Sequence, residues 1–390
     1  MNIFTSKSPI WSLGFRPFFV LVPLVAVVTS SIWVVYITGL GSFDFSPLSP
    51  NQWHANEMIF GFIGAAILGF LLTASANWTG TRGIHGIYLA ALIIVFLAAR
   101  IVFWVTPASQ IWVYQLVGVA SPLWLAVHLA ILFFKTKNNR NLILIAPLSV
   151  FIAGQIYILS SDYMLGYELA LYAVRFLVVV IAGRVIPFFT KSVLKLEPRW
   201  NNSVLEKLNI FSVFVLIFEP FYRSTSWIGT QIWIGLTLIA LFLNIYRLLN
   251  WRFIPSYRVK ILFVLYFAYL WLPLHFALGL ANHFEWLAGI GRPSLHSLAY
   301  GFMGIMILGI INRVTLGHTG RKIHANSLAI SSYVVLSVGA LARVFGPLAA
   351  PEHYILWIRA SGVLWVLAFL AIGIELIPKL LSPRVDGKEY

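Results

Sequence analysis

Residues 61–80 read GFIGAAILGFLLTASANWTG, twenty residues without a charge. A helix rises about 1.5 Å per residue and the hydrocarbon layer of a bilayer is roughly 30 Å thick, so about 20 such residues cross it once. Comparable segments recur from Phe18 to Ile377, separated by short polar joints. The whole chain of 390 residues is 60% hydrophobic and 10% charged, whereas a soluble domain is roughly half apolar and a quarter charged. A water-soluble core cannot account for that balance, and the bilayer is the solvent. The expected fold is an all-α integral membrane protein of about twelve transmembrane helices, forming a single polytopic domain.

Spans are expected near residues 18–40, 57–76, 86–105, 111–134, 142–160, 166–188, 208–221, 227–249, 259–280, 294–313, 327–345 and 355–377. The seventh, Leu208–Phe221, is short and closed by Glu219-Pro220; losing it would invert everything after it. Charge tests the count. The net charge of +15 would suggest nucleic acid in a soluble protein, but here the basic residues sit in loops between apolar spans, where they report topology, and nucleic acid is rejected as a partner. With both termini cytoplasmic, 21 of the 27 basic residues, Lys7 and every other lysine among them, fall on the inner side, as the positive-inside rule requires for twelve spans. The exceptions are Arg100, Arg175, Arg223, Arg292, Arg343 and Arg359. The apolar run after Arg16 is too long for a signal-peptide core and lacks a small-residue cleavage site, so a retained first helix is expected.

An internal repeat follows from the opening stretch. Laid without gaps on Gly301–Gly320 (GFMGIMILGIINRVTLGHTG), it matches at 8 of 20 positions. The sixth span joins more weakly, with Arg184-Val185 falling on Arg313-Val314 and Tyr167 on His296. Second, sixth and tenth spans imply a four-helix period. Many secondary transporters repeat differently, whereas the main subunit of haem-copper oxidases has twelve helices in three four-helix arcs.

There are no cysteines, which excludes disulfides, thiolate ligands and iron–sulfur clusters; nine histidines remain. In this topology His54, His275 and His296 lie toward the outer ends of the second, ninth and tenth spans, where they could converge on a metal. His283 and His353 fall in outer loops, His85, His318 and His324 in inner loops, and His128 in the inner half of the fourth span. Arg100, Arg223, Arg292, Arg343 and Arg359 also fall toward the outer half. Arginine makes bidentate charge-assisted bonds to carboxylates, so these residues suit either outward-facing haem propionates or pairing with Glu57, Glu168, Glu219, Glu285 and Glu352. Imidazole ligates haem iron and copper alike. Met58 is a soft donor or ordinary packing. Glu57, at membrane depth, relays protons or holds an imidazole in orientation.

Five ordered motifs carry a resemblance over essentially the whole chain: Gly14–Phe19 (GFRPFF), Trp53–Met58 (WHANEM), Gly69–Ala74 with Asn77–Gly80 (GFLLTA, NWTG), Gly183–Thr190 (GRVIPFFT) and Leu316–Arg321 (LGHTGR). By these the chain resembles the NnrS family, haem- and copper-containing bacterial membrane proteins of the nitric oxide response and of denitrification. The resemblance implies haem b and copper, nitric oxide as ligand or substrate, protection against nitrosative stress, an inner-membrane location, and, for any nitric oxide reduction, a quinol or cytochrome electron donor. The family's His-x-His-Glu at the second span is departed from here, where Asn56 takes the second histidine position and puts a full two-metal complement in question. His54, His296 and His275 are the expected ligands, Arg100, Arg292 and Arg343 the expected cofactor contacts, and Glu57 the expected proton relay. Two competing readings stand beside this one. The first is a secondary transporter or proton-coupled permease without haem, with His296, Glu57 and Glu168 along its path; the second is a scaffold or sensor partner, disfavoured by the short loops.

Overall fold

The computed structural model describes residues 8–160, 162–197, 199, 202–287 and 292–388; Lys7, counted above among the inner charges, lies outside them. Among the described residues there are helices and no strand. In chain order they are α1 (Phe15–Ile37), α2 (Pro50–Asn56), a π-helical segment (Glu57–Ile63), α3 (Gly64–Thr79), α4 (Gly86–Val105), α5 (Ile111–Lys135), α6 (Ile145–Ile158), α7 (Tyr163–Leu194), α8 (Ser203–Val215), α9 (Glu219–Tyr222), α10 (Trp227–Asn250), α11 (Phe253–Ser256), α12 (Lys260–His283), α13 (Pro293–His296), a second π-helical segment (Ser297–Gly304), α14 (Ile305–His318), α15 (Ser327–Ala349) and α16 (Tyr354–Leu381).

Eleven of the helical stretches among the described residues are long and apolar enough to cross a bilayer. The segment expected as a seventh span is a broken but gapless helical run from Ser203 to Tyr222, made of α8, a 3-10 turn at Leu216–Phe218 and the four-residue α9, which is still long enough to cross and keeps both termini on one side. Pro220 accounts for the break, because it has no N–H to give the carbonyl of Leu216. Helix α5 shows what the solvent is. Trp112, Leu116, Leu123, Val127, Ile131 and Phe134 are exposed at helical spacing, while Tyr114, Leu125, Leu129 and Phe133 are buried on the other face. A helix apolar on both faces belongs in lipid.

Two compact units can be distinguished, one comprising Met1–Leu171, Arg313–Ile323 and Phe369–Tyr390, the other Tyr172–Asn312 and His324–Ala368. In the first, α1 packs along the second span. A Cβ at Gly69 would lie 2.8 Å from Phe18 Cβ and one at Gly14 would lie 2.7 Å from Leu72 Cβ, so these glycines set how closely the two helices approach. The N–H of Phe15, unpaired within its own helix start, donates to Thr73 Oγ1 at 2.8 Å. In the second unit α12 lies between α10 and the tenth span, with Gly301 against the Trp271 indole and Ser297 Oγ donating to the Trp271 carbonyl at 2.9 Å.

The repeat seen in sequence extends to backbone detail. The π segments begin 240 residues apart, at Glu57 and Ser297. Both spans end on a glycine in the left-handed region, Gly80 (φ 64°) and Gly320 (φ 74°), and both close with the same wide bond, Thr81 N–H to Ala76 O at 3.1 Å and Arg321 N–H to Leu316 O at 2.9 Å. This is the Schellman closure, which favours glycine because a Cβ opposes positive φ. The matched glycines are therefore structural equivalents, beyond similar composition.

Candidate functional site

The second span enters through α2, which starts on a capping box. Ser49 Oγ accepts from Gln52 N–H and the Gln52 side chain accepts from Ser49 N–H, with Pro50 in the first turn. The Gln52 amide also donates to the carbonyls of Ile158 and Ser160 at 3.3 and 3.2 Å, fixing α2 against the end of α6. At Glu57 the winding changes to π, a form that recurs at functional sites because one extra residue per turn re-aims the side chains beside it.

That turn carries a buried polar network. Arg100 Nη1 reaches Glu57 Oε2 at 3.1 Å, the two side chains being 13% and 4% exposed. Asn56 Nδ2 donates to Glu57 Oε1 at 3.2 Å and to Tyr114 Oη at 2.6 Å, and Tyr114 Oη lies 3.4 Å from Glu57 Oε1. Gly61 makes the space: a Cβ there would fall 3.0 Å from Arg100 Nη1 and 3.1 Å from Glu57 Oε2. His54 stacks on Trp33 with ring centroids 4.2 Å apart and planes 15° from parallel. Met58 Sδ accepts from the hydroxyls of Thr29 and Ser30, each at 3.8 Å.

In the second unit His275 is built into a different network. Arg175 Nη1 lies 2.9 Å from His275 Nε2. A guanidinium only donates, so Nε2 accepts and the ring proton sits on Nδ1, which faces the carbonyl and hydroxyl oxygens of Ser294 at 2.9 Å. Arg175 also donates to Leu216 O at 2.7 Å, the carbonyl that Pro220 cannot serve, lies 3.6 Å from Glu219 Oε2, and sits over the Tyr172 ring at 4.3 Å. Both nitrogens of His275 are thus engaged by protein groups. Arg223 pairs with Glu219 at 3.3 Å. Arg343 lies near the side chains of Tyr354 and Tyr300. His296 ends α13, at the threshold of the second π segment.

Of the residues singled out in the sequence, the structure joins Glu57 to Arg100 and places His54 three residues before them. His275, His296, Arg292 and Arg343 belong to the second unit. Among the described residues no set of three or more histidine and acidic side chains is grouped to hold a metal ion. Sequence reasoning missed Arg175 as the partner of His275, the signal being an arginine in mid-span. It also missed a cluster in which the buried Arg247 pairs with the half-buried Glu206 and donates to Tyr269 Oη at 2.8 Å, while Asn244 donates to Asn209 at 2.9 Å. The stripe Trp233, Thr237, Ala240, Asn244, Arg247 on α10 was that cluster's signal, one buried face at helical spacing.

Two of the five motifs, GFRPFF and LGHTGR, make contacts that hold the end of α16 and the tail after it. Arg16, 1% exposed, caps the last helix through the carbonyls of Leu380 and Ser382 at 2.6 and 2.7 Å. His318 packs on Phe15 with centroids 5.4 Å apart, and its carbonyl accepts from Arg384 at 2.9 Å. Val385 N–H donates to Thr319 O at 3.1 Å, and Arg384 forks onto Asp386 at 2.8 and 2.6 Å. That fork holds the Asp386 carboxyl below the usual range, at about 2.

Eleven helical stretches among the described residues that are long and apolar enough to cross a bilayer, with apolar faces left exposed, define a polytopic integral membrane protein. A family profile described as NnrS protein matches residues 9–384, and the chain belongs to the NnrS family. None of the curated proteins matches it.

Proposed function

We propose that this is a haem-binding protein of the bacterial inner membrane, with both termini cytoplasmic, that binds nitric oxide and protects against nitrosative stress. Family membership supports the nitric oxide response. One observation supports the ligands: the two π segments occupy the same place in the repeat, and each is entered through a turn that carries a histidine, His54 in one and His296 in the other. Stacking on Trp33 restrains the plane of His54 through its face, whereas ligation uses the in-plane lone pair at the ring edge, so the two are compatible. His275 fits poorly, since iron would have to displace Arg175 or Ser294.

Asn56, whose NH2 is bonded to Glu57 and Tyr114, stands where the family has a second histidine, and an amide is a weaker copper donor than imidazole; haem b alone is proposed. Arg100 is committed to Glu57, so of the three arginines only Arg292 and Arg343 are assigned to the propionates. Bound haem would supply an axial position for nitric oxide. Within the chain, Arg100, Asn56 and Tyr114 hold Glu57 in place as an ion-paired carboxylate. Reductive turnover would further need electrons from a quinol or a cytochrome, so binding is the activity proposed.

The test is an optical spectrum of the detergent-purified protein, oxidised and reduced, with and without nitric oxide. A Soret band that shifts with nitric oxide, is lost in His54→Ala or His296→Ala and survives His275→Ala is the expected result. A colourless protein from cells with ample haem would overturn the proposal and favour the permease reading.

A further inference from the structure

In the first unit two fully buried amides carry polar atoms that nothing around them meets. Asn56 is 0% exposed, and its Oδ1 has no hydrogen-bond partner among the described residues although its Nδ2 is bonded twice. Gln155 on α6 is also 0% exposed, and neither its Oε1 nor its Nε2 has a partner there. Folded proteins leave very few such atoms, and those they leave are commonly met by ordered water.

The register of the helices brings the two amides to one level. Gln52 fixes the start of α2 to Ile158 and Ser160 at the end of α6. Asn56 lies one turn further along α2, and Gln155 nearly one turn back along α6, which runs the opposite way. Helix α5 closes the seam: Tyr114 bonds Asn56, and one turn later Gly118 lies under the Gln155 amide, where a Cβ would come within 3.0 Å of Nε2. One turn beyond these residues a small cavity of about 10 Å³, lined by Phe60, Gly64, Ser121, Leu125, Leu148 and Phe151, shows that the seam is loosely packed next to the amides.

We infer that Asn56 and Gln155 bind an internal water molecule between their amides, one turn away from this cavity. The donor count selects it. Two carbonyl oxygens and the two N–H groups of the Gln155 amide await partners, and a water donates to both oxygens while accepting from one of the N–H groups. Glu57 and Arg100 already neutralise each other, so the amides select a neutral molecule over an ion. The water completes a hydrogen-bonded run from Arg100 through Glu57 and Asn56 to Gln155, tying α2, α4, α5 and α6 together. This site does not depend on haem.

A density map of the full-length protein in lipid nanodiscs, at a resolution that shows ordered water, tests it. The expected result is a peak within hydrogen-bonding distance of Asn56 Oδ1 and the Gln155 amide. In Gln155→Met, nearly the same shape without the amide, the peak is lost and the melting temperature falls by about 2–4 °C, because Asn56 Oδ1 then lacks its partner. An empty wild-type map would overturn the inference. So would a higher melting temperature in Gln155→Met, since that would mean the native amide is unmet; should the variant fail to fold, the wild-type map decides.

Discussion

Removing either member of the Arg100–Glu57 pair should cost stability, and the two costs should be coupled. Breaking a buried ion pair from one side typically costs about 3–5 kcal/mol, because the surviving charge stays buried. In Arg100→Met the Glu57 carboxylate keeps Asn56 and Tyr114 as donors, each worth about 1 kcal/mol net, so the lower end, about 3 kcal/mol, is expected. In Glu57→Gln the guanidinium is still 13% exposed and lies over Phe96 at 5.5 Å, which limits the cost to about 1–2 kcal/mol. The double variant buries no unpaired charge and should cost about 2–3 kcal/mol, for a coupling energy of about 2 kcal/mol. Reversible unfolding of the four proteins in mixed micelles measures the cycle. Coupling below about 0.5 kcal/mol would show that the two side chains are neighbours without energetic dependence, and the electrostatic reasoning would fail.

Glycine substitutions should separate packing from propensity. Gly69→Ala drives a methyl into Phe18 and Phe19 and should cost about 1–3 kcal/mol, whereas Gly235→Ala on α10 meets nothing within 4 Å and should be neutral or stabilising by up to about 1 kcal/mol; thermal unfolding reads both. The tail at Arg384 and Asp386 should respond to acid. A carboxyl whose folded pKa is about 2 contributes fully above its unfolded value near 4 and loses that contribution as pH falls toward 2. A carbon-13 titration of Asp386 should therefore have its midpoint near 2, and Asp386→Asn should speed tryptic cleavage after Arg384 several-fold at neutral pH.

Composition alone makes the helical, membrane-spanning architecture legible, because a bilayer demands long apolar segments with internally satisfied backbones. The repeat was legible through glycines: Gly80 and Gly320 are fixed by backbone conformation, which leaves a residue-type signature. The π winding of Glu57–Ile63 and Ser297–Gly304 was not, since it changes hydrogen-bond register without demanding a residue type. The break after Leu216 was partly visible as Pro220, but not its consequence, a bare carbonyl that recruits Arg175. The site is where sequence was weakest. Arg100 could be read as a propionate contact or as the partner of Glu57, and what decides between them is a contact across 43 residues with no periodicity to reveal it. Likewise the arginine beside His275 lies 100 residues away in the chain and leaves no local signature.

Arg16 has an implication for how the protein is made. Its guanidinium is satisfied by carbonyls 364 and 366 positions later in the chain. At about 5–20 residues per second, translation reaches those carbonyls roughly 20–70 s after Arg16 is synthesised. For that interval a positive charge bound for a fully buried position has to remain near headgroups or water. The first helix thus reaches its final burial only when α16, made more than 300 residues later, brings those carbonyls to it.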